Sequence, residues 1–181
     1  MNSKIYSNNF PDNLPLPIKG KWVVKGDAEL LSKPKAAILL SRQTRSPSPD
    51  SWWIHATYSA AKWAAEQGYT ILSGKGLTHL DFTRWSANIH GNCALVDINS
   101  NGEEISDDSW SKLQLSLTPD IKNNKQFLYK CRDELIADIA DILIIISFRK
   151  GGIMEGIINR AINKKPIYII CVFIHDVSNV K

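Results

Sequence analysis

What this sequence lacks narrows the field before any motif is considered. No apolar run approaches the roughly 18 residues that a membrane-crossing helix needs. The longest, at 142–147, is the size of a strand. Residues 1–30 are polar and proline-containing, with no apolar core of a secretory signal, so the chain reads as cytoplasmic and independent of membranes. The three cysteines, Cys93, Cys131 and Cys171, are far apart and form no C-x-x-C pair. A disulfide framework and a zinc site are both poor readings of them. His55, His79, His90 and His175 are scattered without metal-ligand spacing, so no metal is expected. No G-x-G-x-x-G follows the first buried strand and no Walker A sequence occurs, which disfavours nicotinamide chemistry and ATP hydrolysis. No G-x-S-x-G elbow is present either, which counts against an α/β-hydrolase. Charge of neither sign dominates. The 22 Lys and Arg against 18 Asp and Glu leave +4, which permits an anionic partner without requiring one.

What is present fits one soluble globular domain. The length of 181 residues matches a single domain, and 44% hydrophobic with 22% charged residues argues against disorder. Residues 1–21, with Pro11, Pro15 and Pro17 among asparagines, read as an irregular arm, and 22–181 as the domain. Strands are expected at 22–25, 36–41, 69–73, 94–98, 142–147 and 167–172, with a short helical turn at 28–32. Apolar residues at Trp53, Ile54, Thr57, Ala60, Ala61, Ala64 and Ala65 recur at helical spacing and predict a helix over 51–67. Asp50 or Ser51 stands where its N-cap belongs, and Gly68 where its C′ residue belongs. Further helices are expected at 80–89, 126–140 and 153–163. The stretch 99–125 reads as a long polar loop holding a short edge strand at 113–117. Apolar strands alternating with helices mean a mostly parallel sheet covered on both faces, a three-layer doubly wound α/β fold of the Rossmann type.

Ligands of such sheets bind outside the carboxyl ends of the strands. Three of those ends are polar or glycine-rich: 41–45, 73–81 and 147–152. Each precedes a helix, whose free N–H groups and dipole favour an anion. Ser41, Arg42, Arg45, Ser73, Gly74, Lys75, Gly76, Arg149, Lys150, Gly151 and Gly152 are therefore candidate phosphate contacts. Taken singly, each loop is equally well a turn with solvated basic side chains. Three on one edge of the sheet shift the balance toward a phosphate-bearing ligand. Asp81 and Glu155 lie in first helical turns, where a carboxylate stabilises the dipole or contacts a ribose. Asp141, at the opposite edge, reads as structural. Trp52 falls off the apolar face of its helix and Trp85 follows the second loop, so both are candidates for stacking on bases.

These segments resemble the Rossmann-like domain of the DNA processing protein A (DprA, or Smf) family, within the SLOG group of nucleotide-binding domains. The family's L-Y-x-x-G-D is similar to Trp22-Val23-Val24-Lys25-Gly26-Asp27, and its A-I-V-G-S-R-x-x-T to Ala37-Ile38-Leu39-Leu40-Ser41-Arg42-Gln43-Thr44-Arg45. Its G-x-x-V-V-S-G-x-A-x-G-I-D resembles Gly68-Tyr69-Thr70-Ile71-Leu72-Ser73-Gly74, followed one residue late by Leu80-Asp81. Its R-N-R-I-I-A-x-L-S-D is similar to the segment from Arg132 to Asp141, and Gly151-Gly152-Ile153 echoes its S-G-S-x-x-T. Leu40 stands where the family has glycine, Trp85 where it has histidine, and Glu134 where it has a second arginine. The resemblance implies single-stranded DNA binding without turnover, delivery of that DNA to a RecA-type recombinase, and a homodimer. Carried over, it implies that Ser41, Arg42, Gly74, Arg132 and Gly152 contact phosphates or bases, with no catalytic residue and no cofactor. Two other readings stay open. One is a SLOG-type sensor or carrier of a small nucleotide. The other is a phosphoribohydrolase of the LOG type, whose P-G-G-x-G-T-x-x-E is only partly matched by Gly151-Gly152-Ile153-Met154-Glu155.

Overall fold

Continuous apolar strands need cover on both faces, and the chain supplies it with two amphipathic helices on each. The structure, a computed structural model, describes residues 3–7, 20–41, 43, 46–98, 108–119 and 125–170. In chain order the strands are β1 (Ser3–Ser7), β2 (Gly20–Gly26), β3 (Lys35–Leu40), β4 (Thr70–Ser73), β5 (Asn92–Ile98), β6 (Leu113–Pro119), β7 (Ile142–Ser147) and β8 (Ile167–Ile169). The helices are α1 (Trp52–Glu66), α2 (Thr78–His90), α3 (Lys125–Ile139) and α4 (Ile153–Ala161), and a short 3-10 turn covers Ala28–Leu31. The strands form one sheet of order β1-β2-β6-β5-β4-β3-β7-β8. From β6 to β8 every neighbouring pair is parallel, while β1 and β2 run antiparallel at one end. The fold is therefore the α/β, Rossmann-like, mostly parallel one that the sequence predicts.

Alternation along β3 shows how the layers close. Ala36, Ile38 and Leu40 join the cluster built on Trp53, Ala60, Ala61 and Ala64 of α1 and Ala87 of α2. Ala37 and Leu39 face the other way, into a cluster with Leu135 and Ile136 of α3 and Met154 and Ile157 of α4. Gly68, at φ 80°, follows α1 in the left-handed conformation that its position as a helix terminator requires. Ser51 is the N-cap residue of α1, although its side chain makes no capping bond.

Two expectations are corrected. Ser3–Ser7, inside the stretch read as irregular, is a strand paired antiparallel with β2, in register from Ser3 opposite Lys25 to Ser7 opposite Lys21. Prolines and asparagines further along that stretch obscured a five-residue segment with no strong pattern of its own. The strand expected at the sheet edge over 113–117 lies inside the sheet, between β2 and β5. Its Leu-Gln-Leu-Ser-Leu alternation reads as half-exposed, yet Gln114 and Ser116 are buried along with the leucines, and β2 pairs along the edge that would have been open. The remainder of the predicted polar loop, 99–107 and 120–124, lies outside the described residues, as does the end of the last predicted strand.

Candidate functional site

The order of the parallel strands reverses between β3 and β7, and such a switch point leaves a crevice above the strand ends. Here the two ends are laced together. The Ser41 backbone N–H donates to the Ser147 carbonyl at 3.0 Å, and the Arg149 N–H donates to Ser41 Oγ at 3.1 Å. Gln43 Nε2 donates to the Ser41 carbonyl at 2.8 Å and to Ser147 Oγ at 3.1 Å, which carries the glutamine across the crevice. Arg42 and Arg45 lie outside the described residues.

After β4 the loop is built around Gly74, and for a reason other than close approach of a phosphate. A β-carbon on Gly74 would stand 2.8 Å from Arg132 Nε. That guanidinium is fully buried, donates from Nη1 to the Lys75 carbonyl at 2.9 Å, and is held by Asp133 Oδ1 at 2.9 and 3.1 Å. It also lies over the Tyr129 ring, 5.1 Å from its centroid. Burial pushes the Asp133 carboxyl up, against the pull of Arg132. Arg132 thus braces the floor of the loop from beneath. Ser73 is buried as well, its hydroxyl donating to the Leu80 carbonyl at 3.2 Å.

Gly76 turns the chain at φ 86° and donates its N–H to Asp81 Oδ1 at 3.2 Å. The same oxygen accepts from Arg84 Nη2 at 2.7 Å, and Arg84 Nη1 meets Asp108 Oδ1 at 2.5 Å. Arg84 further covers Trp110 at 5.3 Å, and Ser111 donates to Asp108. Burial alone would raise the Asp108 carboxyl, but the hydrogen bonds from Arg84 and Ser111 hold it below the usual carboxylate range. Lys75 Nζ lies 3.5 Å from Asp97 Oδ2, so part of its charge is answered within the protein.

After β7, Gly151 at φ 73° donates its N–H to Glu155 Oε2 at 2.6 Å. The N-terminus of α4 therefore carries a carboxylate of its own, which is the stabilising reading of Glu155. Gly152 is the N-cap residue, and Lys150 and Arg149 are exposed on the rim.

Among the described residues a cavity of about 450 Å³ opens between these loops, lined by Gln43, Gly76, Leu77, Thr78, His79, Asp81 and Tyr129. That size falls within the range of small-ligand sites, roughly 300–1,000 Å³. Of the predicted site residues, Gly76 and Asp81 line it, while Ser73, Gly74 and Arg132 build its support and Ser41 ties the crevice beside it. Trp52 is exposed, as its place off the apolar face predicts, and Trp85 is exposed as well. Trp85 packs against Phe82 and Tyr58 on the surface shared by α1 and α2, with centroids at 5.3 and 6.3 Å. Gln43, Tyr129, Arg84 and Asp108 were not anticipated. The signals were there in two cases: Asp81 with Arg84 and Tyr129 with Arg132 are both spaced i, i+3, neighbours on a helix surface.

No family model and no curated protein matches the sequence. Solved structures do. DNA processing protein A from Helicobacter pylori, described for its single-stranded DNA binding mode, aligns at a TM-score of 0.66 and 19% identity, over 93% of this chain and 80% of that one. The DprA of Streptococcus pneumoniae aligns at 0.67 and 16%, over 97% of this chain but 65% of its own length. The chain has the DprA fold. Molybdenum cofactor carrier and binding proteins share it more distantly. That of Chlamydomonas reinhardtii aligns at 0.55 and 16% identity over 76% of each chain, and that of Rippkaea orientalis at 0.54 and 14%, also over 76% of each. At these identities the similarity establishes architecture. The DprA structures are nonetheless the ones that the motif resemblance names.

Proposed function

We propose that the chain binds single-stranded DNA along the carboxyl edge of its sheet, with one nucleotide entering the cavity beside Tyr129. The supporting observation is that cavity, beside the switch point of a DprA fold, with an aromatic ring in its wall and with Lys75, Arg149 and Lys150 in the loops that follow β4 and β7. An aromatic wall offers stacking to any base, and a basic rim follows the backbone of a single strand. In this reading the protein works in the cytoplasm as a homodimer in DNA uptake or recombination, handing its strand to a RecA-type recombinase. Ser41, Arg42, Arg45 and Lys150 line the path of the phosphates.

The test is fluorescence anisotropy of a labelled single-stranded oligonucleotide titrated with the protein at two salt concentrations. Micromolar or tighter affinity, falling steeply with salt and lost in Arg42→Ala, is the expected result. No binding at low salt sinks the reading. A carrier of a small nucleotide-like ligand is the second reading, favoured by the one-nucleotide size of the cavity and the fold of the molybdenum cofactor carriers. It requires thermal stabilisation by a mononucleotide with no response to oligonucleotides.

A further inference from the structure

The cavity's charge runs against a phosphate. Among the described residues its lining carries one carboxylate, Asp81, and no lysine or arginine. Two guanidinium groups next to it among the described residues are already engaged: Arg84 by Asp81 and Asp108, and Arg132 by Asp133 and the Lys75 carbonyl. One guanidinium between two carboxylates leaves that three-residue cluster with a net charge of about −1. A phosphate placed there meets repulsion, whereas an N–H group meets an acceptor.

Asp81 is held so that its two oxygens differ. Oδ1 accepts from Gly76 N–H and from Arg84 Nη2, while Oδ2 accepts no hydrogen bond among the described residues, and the side chain is 39% exposed. We infer that the cavity reads a nucleobase by its exocyclic amino group, which donates to Asp81 Oδ2 while the base lies along Tyr129 and the phosphates stay on the rim. This rests on the nucleotide-binding reading and adds a preference to it. Cytosine, adenine and guanine carry such an amino group, and carboxylates accept from it in base recognition. Thymine has none. Its single N–H donor lies between two carbonyl oxygens, which a carboxylate repels.

The arrangement supplies its own test. In Asp81→Asn the side-chain oxygen must stay with the two donors, Gly76 N–H and Arg84, so the new NH₂ takes the place of Oδ2. An acceptor becomes a donor with almost no change of shape, and the preference turns over. Labelled homo-oligomers of deoxycytidine and of thymidine are titrated into the wild type and into Asp81→Asn, with thermal shifts by dCMP and dTMP measured in parallel. The wild type is expected to favour the cytidine oligomer roughly tenfold, the scale of one charge-assisted hydrogen bond. In Asp81→Asn the thymidine oligomer becomes the tighter ligand, a reversal that loosening of the loop cannot produce. Equal wild-type affinities overturn the inference, as does a preference that survives the substitution or a parallel loss of both ligands. If oligomers fail to bind while dCMP stabilises the wild type more than dTMP, the DNA reading falls and the amino-group inference stands. If Asp81→Asn does not fold, the wild-type preference alone decides.

Discussion

Arg84 carries more of this molecule than its place in the middle of a helix suggests. It is buried, it binds carboxylates on two different segments, and it fixes the loop that lines the cavity. Removing one partner of a buried ion pair leaves the other charges without compensation, at a cost of about 3 kcal/mol. Arg84→Met is therefore expected to lower the unfolding free energy by about that amount in denaturant titrations. The same pair has a pH signature. Asp108 is held below the usual carboxylate range in the folded protein, so its contribution is complete above the unfolded value, about 4. It is lost as pH falls further, through the lower folded value. The wild-type unfolding midpoint should drop on acidification through that window, and Arg84→Met should lack that component.

Gly74 and Cys93 give two more residue-level outcomes. In Gly74→Ala the added carbon meets Arg132 Nε at 2.8 Å and must push the guanidinium off Tyr129. Overpacking of this kind costs about 1–3 kcal/mol. Anisotropy titrations should show weaker oligonucleotide binding as the cavity floor shifts. The Cys93 thiol is pushed up to about 12 by burial, with Ser111 too weak a partner to offset it. Iodoacetamide at mildly alkaline pH should leave Cys93 unmodified in the native protein and label it after denaturation, as read by peptide mass.

At the scale of elements, α3 shows how a helix end is finished from elsewhere in the chain. Lys165 Nζ donates to the carbonyls of Ala137, Asp138 and Ala140, which α3 leaves unpaired at its last turn. Lys165→Met should cost about 1 kcal/mol and speed amide exchange around the end of α3 selectively. This cap was invisible in the sequence because its partners are 25 to 28 residues apart. The elements themselves were legible, since their apolar periods are local: α1, β7 and α4 fall within a few residues of where the pattern places them. The strands that were misjudged are those whose burial depends on a distant neighbour. β6 looks like an edge until β2 is laid beside it, and β1 has meaning only as the partner of β2. The site follows the same division. Glycine turns at Gly76 and Gly151 announce loops at the carboxyl edge, but the sequence leaves Glu155 two roles, helix terminus or ligand contact, and does not show that Arg132 faces inward.

For the whole molecule, the two ends of the sheet differ. One is extended by the antiparallel pair of β1 and β2, and the other ends at β8, whose Tyr168 and Ile169 are about half exposed. The described residues place the cavity away from both, over the ends of β3 and β4, next to the point where the strand order reverses. The union of β2 with β6 joins residues 20–26 to residues 113–119 and buries Trp22 completely. During synthesis, then, Trp22 has no native neighbour on that side until nearly a hundred further residues have left the ribosome. At roughly 5–20 residues per second this is a wait of several seconds to about twenty. Through that interval β2 is open along the edge that β6 later covers, a partly apolar strand edge of the kind a nascent-chain chaperone binds.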